Sequence, residues 1–123
     1  MGKEMLDGSL VGENTLLIQK TVRSGQSIKH SGNVVILGDV NPGAEIIAGG
    51  HIIVMGVVRG IVHAGAFGEE KATVTAFALN PTQIRISGKI TRPPDEDYSK
   101  TDEPETARIK DGVIVIEKYK TLR

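Results

Sequence analysis

The side chains able to do chemistry are few and widely spaced. His30, His51 and His63 are the imidazoles available as metal ligands or proton carriers. Asp39 and Glu45 lie six apart and would form an acid–base pair if they shared a face. Ser24 and Ser31 are nucleophiles only where a base adjoins them. Gly38-Asp-Val-Asn-Pro-Gly43 has the glycine content of a phosphate loop, but no Lys-Ser or Lys-Thr pair follows it. Arg23 and Arg59, with Asn41 midway, carry the forked guanidinium that clasps carboxylates. With no cysteine, thiol chemistry and disulfides are excluded. Which of these groups meet depends on how the chain winds.

The aliphatic residues answer that. Every sixth residue from Leu16 is apolar: Val22, Ile28, Val34, Val40, Ile46, Ile52, Val58 and Ala64 follow it. A helix repeats near 3.6 residues and a simple strand at 2, so a period of six means short extended pieces joined by corners. The position two further on is mostly small or aliphatic (Ile18, Ile36, Ala48, Val54, Gly60, Ala66), and the position four further on is rich in glycine, which suits corners. Ser31–Val40 and Gly49–Val58 match at a shift of 18, so three pieces make one lap. The expectation is an all-β fold, a three-sided parallel β-solenoid. Aromatics are only 3% of the chain, which suits a narrow interior filled by Val, Ile and Ala. Net charge is zero, which argues against a general nucleic-acid or anionic-membrane surface.

The lap separates the chemical residues. His51 and His63 fall on different sides, His30 and His51 are out of register, and each is expected to be a satisfied surface histidine. Asp39 and Glu45 occupy different edges. No catalytic, metal or cofactor site is expected, and the chain does not read as an enzyme. One side turns Leu17, Val35 and Ile53 outward, flanked by Leu37 and Met55. Such a stacked apolar patch on a sheet fits a twofold homodimer contact. The second side turns out Arg23, Asn41 and Arg59 beside Ser24, Gly25, Pro42, Gly43 and Gly60. The third shows Lys29, Ile47 and Gly65.

Residues 1–14 lack the period and read as a linker to a domain at 15–123. At Phe67–Lys71 the six-step fails. It is expected to resume after two extra residues, at Ala72, Ala78, Ile84 and Ile90, for a little over four laps. Residues 92–105 form an acidic, proline-bearing loop. Residues 106–117 form a hairpin around Asp111-Gly112 that pairs Ile109 with Ile114 and Ala107 with Ile116. Because open solenoid ends expose strand edges, this hairpin is expected to cover an end or join a partner subunit. The chain has no apolar run long enough to span a bilayer and no signal-peptide pattern, so a cytoplasmic location is expected.

Val22-Arg-Ser-Gly-Gln26, the Gly-Ala-Glu segment at 43–45 and Arg59-Gly-Ile-Val-His-Ala-Gly-Ala66 resemble, in order and spacing, the C-terminal domain of the bacterial septum-site-determining protein MinC. The resemblance covers roughly Thr21 to Ile116. It implies a right-handed β-helix that dimerises, binds the membrane-recruited ATPase MinD in its ATP-bound dimer, and so localises inhibition of FtsZ ring assembly at the inner face of the membrane. The family's MinD-binding element maps onto Arg23, Ser24, Gly25 and Gln26. Neighbouring positions map onto Gly43, Gly50 and Ile61, where some members carry Asp in place of Gly43 and Arg in place of Ile61. Asn41 and Arg59 join this set because they share its side. Two alternatives use a similar period: the left-handed hexapeptide-repeat acyltransferases, and filament-forming β-solenoids of the bactofilin type. The acyltransferases prefer glycine directly after the aliphatic residue, whereas here it sits four on.

Overall fold

Extended tetrapeptides with alternating inward aliphatics dominate a computed structural model of the chain, which describes residues 14–92 and 103–120. Its strands are β1 (Thr15–Ile18), β2 (Ser27–His30), β3 (Asn33–Ile36), β4 (Glu45–Ala48), β5 (Ile52–Val58), β6 (Ile61–Ala64), β7 (Val74–Leu79), β8 (Gln83–Ile86), β9 (Lys89–Thr91), β10 (Glu105–Lys110) and β11 (Val113–Lys118). They form two sheets, β1-β3-β5-β7-β10-β11 and β2-β4-β6-β8-β9. Within each, the first four strands are parallel and each comes from the next lap. The third side is a ladder of single parallel bridges, Val22 to Val40 to Val58. The result is the three-sided parallel solenoid that the period implies.

Val22, Val34, Ile36, Val40, Ile46, Ile52, Val54 and Val58 are buried, as the inward seats require. At roughly 1.5–3 kcal/mol for each fully buried aliphatic side chain, this column is the main favourable term. Leu16 and Ile28, in the first lap, are only half-buried.

The laps are less uniform than a strict six suggests. Ile46 pairs with Val62, not with Ala64. Ala64 is buried all the same, because it takes the second inward seat of its piece, opposite Ile86. Two residues are missing at the corner before it. Gly60 makes the short cut possible: a Cβ there would sit 2.5 Å from the Ala44 carbonyl oxygen and 2.6 Å from that of Asn41. At the next corner the chain is longer by six residues, since Ala48 is followed by Ile52 after four steps and Ala64 by Val74 after ten. The excursion leaves the prism after Ala66, which still donates to the Ala48 carbonyl, and Ala72 returns to the interior. The expected two-residue surplus is therefore a shortfall followed by a larger insertion. Glu69, Glu70 and Lys71 are solvent-exposed, as expected.

Two further seats differ from expectation. Between Val54–Ala76 and Val57–Ala78 the ladder slips, so Met55 and Gly56 face Phe77 across a β-bulge. Leu79 consequently fills the inward seat and Ala78 is half-buried. Ile90 does not point inward: the chain reverses at Ser87 (φ 53°) and Gly88, β9 runs antiparallel to β8, and Ile90 is 53% exposed.

The hairpin has the expected register, Ile109 with Ile114 and Ala107 with Ile116. Positive φ at Asp111 (55°) and Gly112 (83°) is the signature of a type I′ loop. It does cover an end: β10 lies antiparallel on β7, Ala107 is buried, and Ile109, Ile114 and Ile116 pack on the core. Glu105, assigned above to the acidic loop, instead opens β10. It is 8% exposed and accepts the Leu79 N–H at 2.9 Å. Residues 93–102 of that loop, and residues 1–13 of the expected linker, lie outside the described residues.

Candidate docking site

The bridge ladder on the third side builds the most distinctive surface. Val22, Val40 and Val58 plug the interior, and the residue after each is forced outward. Arg23, Asn41 and Arg59 thereby stand in one column. The Asn41 N–H donates to the Val22 carbonyl at 2.9 Å and the Arg59 N–H to the Val40 carbonyl at 2.7 Å. Two laps separate the guanidiniums, about 10 Å at the spacing of paired strands. Both are exposed, and neither has a carboxylate partner among the described residues.

Two stacked turns hold the rest. Gln26 N–H donates to the Arg23 carbonyl at 2.9 Å and Ala44 N–H to the Asn41 carbonyl at 3.0 Å. Gly25 (φ 86°) and Gly43 (φ 87°) each sit third in their turn, the position where a type II turn requires positive φ. Pro42 precedes Gly43, where its fixed φ is favourable. Gly25 N–H donates to the Gly43 carbonyl at 2.9 Å, which fixes one turn on the other. Gln26 folds back so that its Oε1 accepts the Arg23 N–H at 2.8 Å. The Ser24 hydroxyl lies where a side chain at Gly43 would begin. Arg23, Ser24, Gly25 and Gln26 thus form one exposed corner braced by these bonds.

The structure brings Arg23, Ser24, Gly25, Gln26, Asn41, Gly43 and Arg59 together. Ile61 does not occupy a third seat above Gly25 and Gly43, because the corner cut by Gly60 has none. It opens β6, half-buried, between Glu45 and Gln83 on the second sheet. Gly50 is at the opposite corner, where its N–H donates to Gly32. The outward row on the second sheet is Lys29, Ile47, His63 and Arg85; Gly65 (φ 57°) lies in the turn after β6 instead.

The histidines divide. His51 Nδ1 accepts the Thr73 N–H at 3.0 Å, and His63 Nε2 lies 3.0 Å from the Ser87 carbonyl oxygen. His30 is not a satisfied surface residue. It pairs with Ala48 at an inward seat, and its buried Nε2 has no partner among the described residues.

The apolar wall is present as read. Leu17, Leu37, Ile53 and Met55 are exposed and Val35 is half-buried. It extends further than the spacing indicated. Phe77, 49% exposed, continues the Leu37–Met55 column across the bulge, and Tyr119 closes an apolar depression with Ile53, Met55 and Pro104. The bulge hid Phe77, since its outward seat follows only once the slip is known.

The family model for the septum formation inhibitor MinC, C-terminal domain, matches residues 16–119. The chain belongs to this family. Among MinC relatives, the probable septum site-determining protein MinC of Heliobacterium modesticaldum is 63% identical over 87% of this chain and 37% of its own length. That of Clostridium acetobutylicum is 53% identical over 85% of this chain and 49% of its own. The chain therefore spans about half or less of these MinC proteins. A chain in the solved MinC:MinD cell division protein complex of Aquifex aeolicus superposes with a TM-score of 0.80 at 38% identity, covering 89% of this chain and 90% of that one.

Proposed function

We propose that this domain is the adaptor half of a division-site regulator: it dimerises through the apolar wall and docks, through the Arg23 corner, on the ATP-bound dimer of MinD. The observation that carries this reading is the corner itself. Two guanidiniums without carboxylate partners among the described residues stand beside a turn braced by Gln26 and Gly43, in a chain whose structural neighbour comes from a MinC:MinD complex. Forked donors on a rigid frame lose little entropy when they meet a carboxylate. Neither alternative from the period, acyltransferase or filament, is favoured by a specific feature of this surface.

Docking on MinD would carry the domain to the inner face of the membrane, and the larger protein would there restrain FtsZ ring assembly. Residues 15–123 are the docking module in this scheme, and residues 1–14 lead into it. Arg23 forms the charged contact with Arg59 supporting it. Ser24, Gly25 and Gly43 allow close backbone approach, while Gln26 and Asn41 offer side-chain amides. Ile61 lies one strand over and contributes at the margin.

The test is co-sedimentation with MinD, ATP and anionic vesicles. Arg23→Ala should lose at least tenfold in apparent affinity while its mass by light scattering stays that of a dimer. Full binding by a dimeric Arg23→Ala protein would falsify the assignment.

A further inference from the structure

Arg59 stands in line with Arg23 although the chain is irregular on both sides of it. The bulge at Met55–Gly56 ends three residues before it, and the corner cut at Gly60 begins one residue after it. A bulge bends its strand and re-aims the side chains that follow. The Arg59 N–H is held by the Val40 carbonyl at 2.7 Å, as part of the bridge ladder. Two side chains hold what the ladder leaves over.

Asp39 acts from the lap before. Its Oδ1 accepts the Val57 N–H at 2.8 Å, the first main-chain donor after the bulge. The Asp39 N–H donates in the same way to the Thr21 hydroxyl at 3.2 Å, one lap earlier still. Gly56 leaves room for the carboxylate, because a Cβ there would meet Asp39 Oδ1. Asp39 is half-buried and forms no ion pair among the described residues, so its carboxylate is committed to the main chain. Thr82 acts from the lap after. Its hydroxyl donates to the Arg59 carbonyl at 2.9 Å, and its N–H donates to the Gly60 carbonyl at 3.0 Å. The peptide that carries Arg59 is thus fixed from both neighbouring laps.

We propose that Asp39 and Thr82 are positioning residues for Arg59, and that they set the second guanidinium on the docking side. The proposal rests on the Arg23 corner as a docking site and adds which residues aim its other charge. A guanidinium meets a carboxylate in bidentate fashion over a narrow range of orientations, and a turn of its own peptide is magnified along the side chain. Neither positioning residue has to touch the partner. The charge of Asp39 is not required either, since an amide oxygen accepts an N–H as a carboxylate does.

The test is co-sedimentation with MinD, ATP and anionic vesicles. Arg59→Ala should weaken apparent affinity by about fivefold or more. Asp39→Ala and Thr82→Val should each weaken it by about threefold or more, whereas Asp39→Asn and Thr82→Ser should bind within about twofold of the parent. Added to Arg59→Ala, neither Asp39→Ala nor Thr82→Val should cost anything further, because both act through the side chain already removed. Amide hydrogen exchange of the free domain reads the contact directly: Val57 should exchange about tenfold faster in Asp39→Ala and at the parental rate in Asp39→Asn. Thr82→Val removes an exposed hydroxyl at constant shape, so misfolding of Asp39→Ala cannot mask the result. Parental binding by Thr82→Val overturns the proposal, as does an undiminished further loss when it is added to Arg59→Ala. Parental binding by Arg59→Ala also overturns it and leaves Arg23 as the docking charge. Full binding by Arg23→Ala would instead remove the docking reading, and this proposal with it.

Discussion

At the scale of single residues, two glycines with nearly equal φ separate two physical effects. Gly25 and Gly43 both need the left-handed region, which costs a residue with a Cβ about 1–2 kcal/mol. Around Gly25 an added Cβ meets open space, whereas at Gly43 it would meet Ser24 Oγ. Gly25→Ala should therefore lower stability by about 1 kcal/mol, and Gly43→Ala by more, as read from urea midpoints. Equal losses would mean that Ser24 moves aside freely and does not brace the turn. Glu105 gives a contrasting case. Its carboxylate is the partner of the Leu79 N–H at the buried end of β7. Glu105→Ala orphans that donor and should cost about 1–3 kcal/mol. Nothing in the local sequence distinguishes Glu105 from its acidic neighbours; only the pairing with Ala76 selects it.

Among the elements, what the sequence made legible and what it hid have a common cause. Inward aliphatics at a fixed period place β1 to β5 and the Val22–Val40–Val58 ladder without reference to anything distant. The Arg23 corner was readable for the same reason, since it follows an inward valine and precedes Ser27 by an ordinary turn. The period stops informing when the lap length changes, because an aliphatic residue such as Ala64 fits either inward seat of a piece. Gly60 marked the shortened corner, but a glycine there also fits a corner of ordinary length. The error at Ile61 descends from that ambiguity, the error at Ala78 from the bulge at Met55–Gly56, and the error at Ile90 from the chain reversal at Ser87 and Gly88. The hairpin was legible because Asp-Gly demands its own turn, and the structure adds what it does: β10 satisfies the free edge of β7. Truncation after Pro104 should uncover that edge together with the Val74 and Ala76 pleat. The expected outcome is lower solubility and a broadened mass distribution by light scattering. A truncated chain that stays monodisperse would show that the prism needs no cap at this end.

For the whole molecule, the proposed function requires the two walls to act together. The apolar wall and the Arg23 corner lie on different sides of the prism, so a twofold contact through Leu17, Val35, Leu37, Ile53 and Met55 leaves both corners free. Each protomer of the proposed dimer would offer one docking site, and two sites on one particle would raise the effective concentration at a MinD-coated membrane without a new contact. Ile53→Glu places a carboxylate in the centre of the wall, where a dimer would have to bury it unpaired. That variant should be monomeric by light scattering. Because its corner is untouched, it should bind soluble MinD with an affinity within about threefold of the parent, yet be retained on MinD-bearing vesicles at least tenfold less well. The two readouts distinguish avidity from a damaged site: equal losses in both would mean that the wall and the corner are a single surface. An unchanged dimer would remove this face from the assembly and leave Phe77 and Tyr119 as exposed apolar groups with another role.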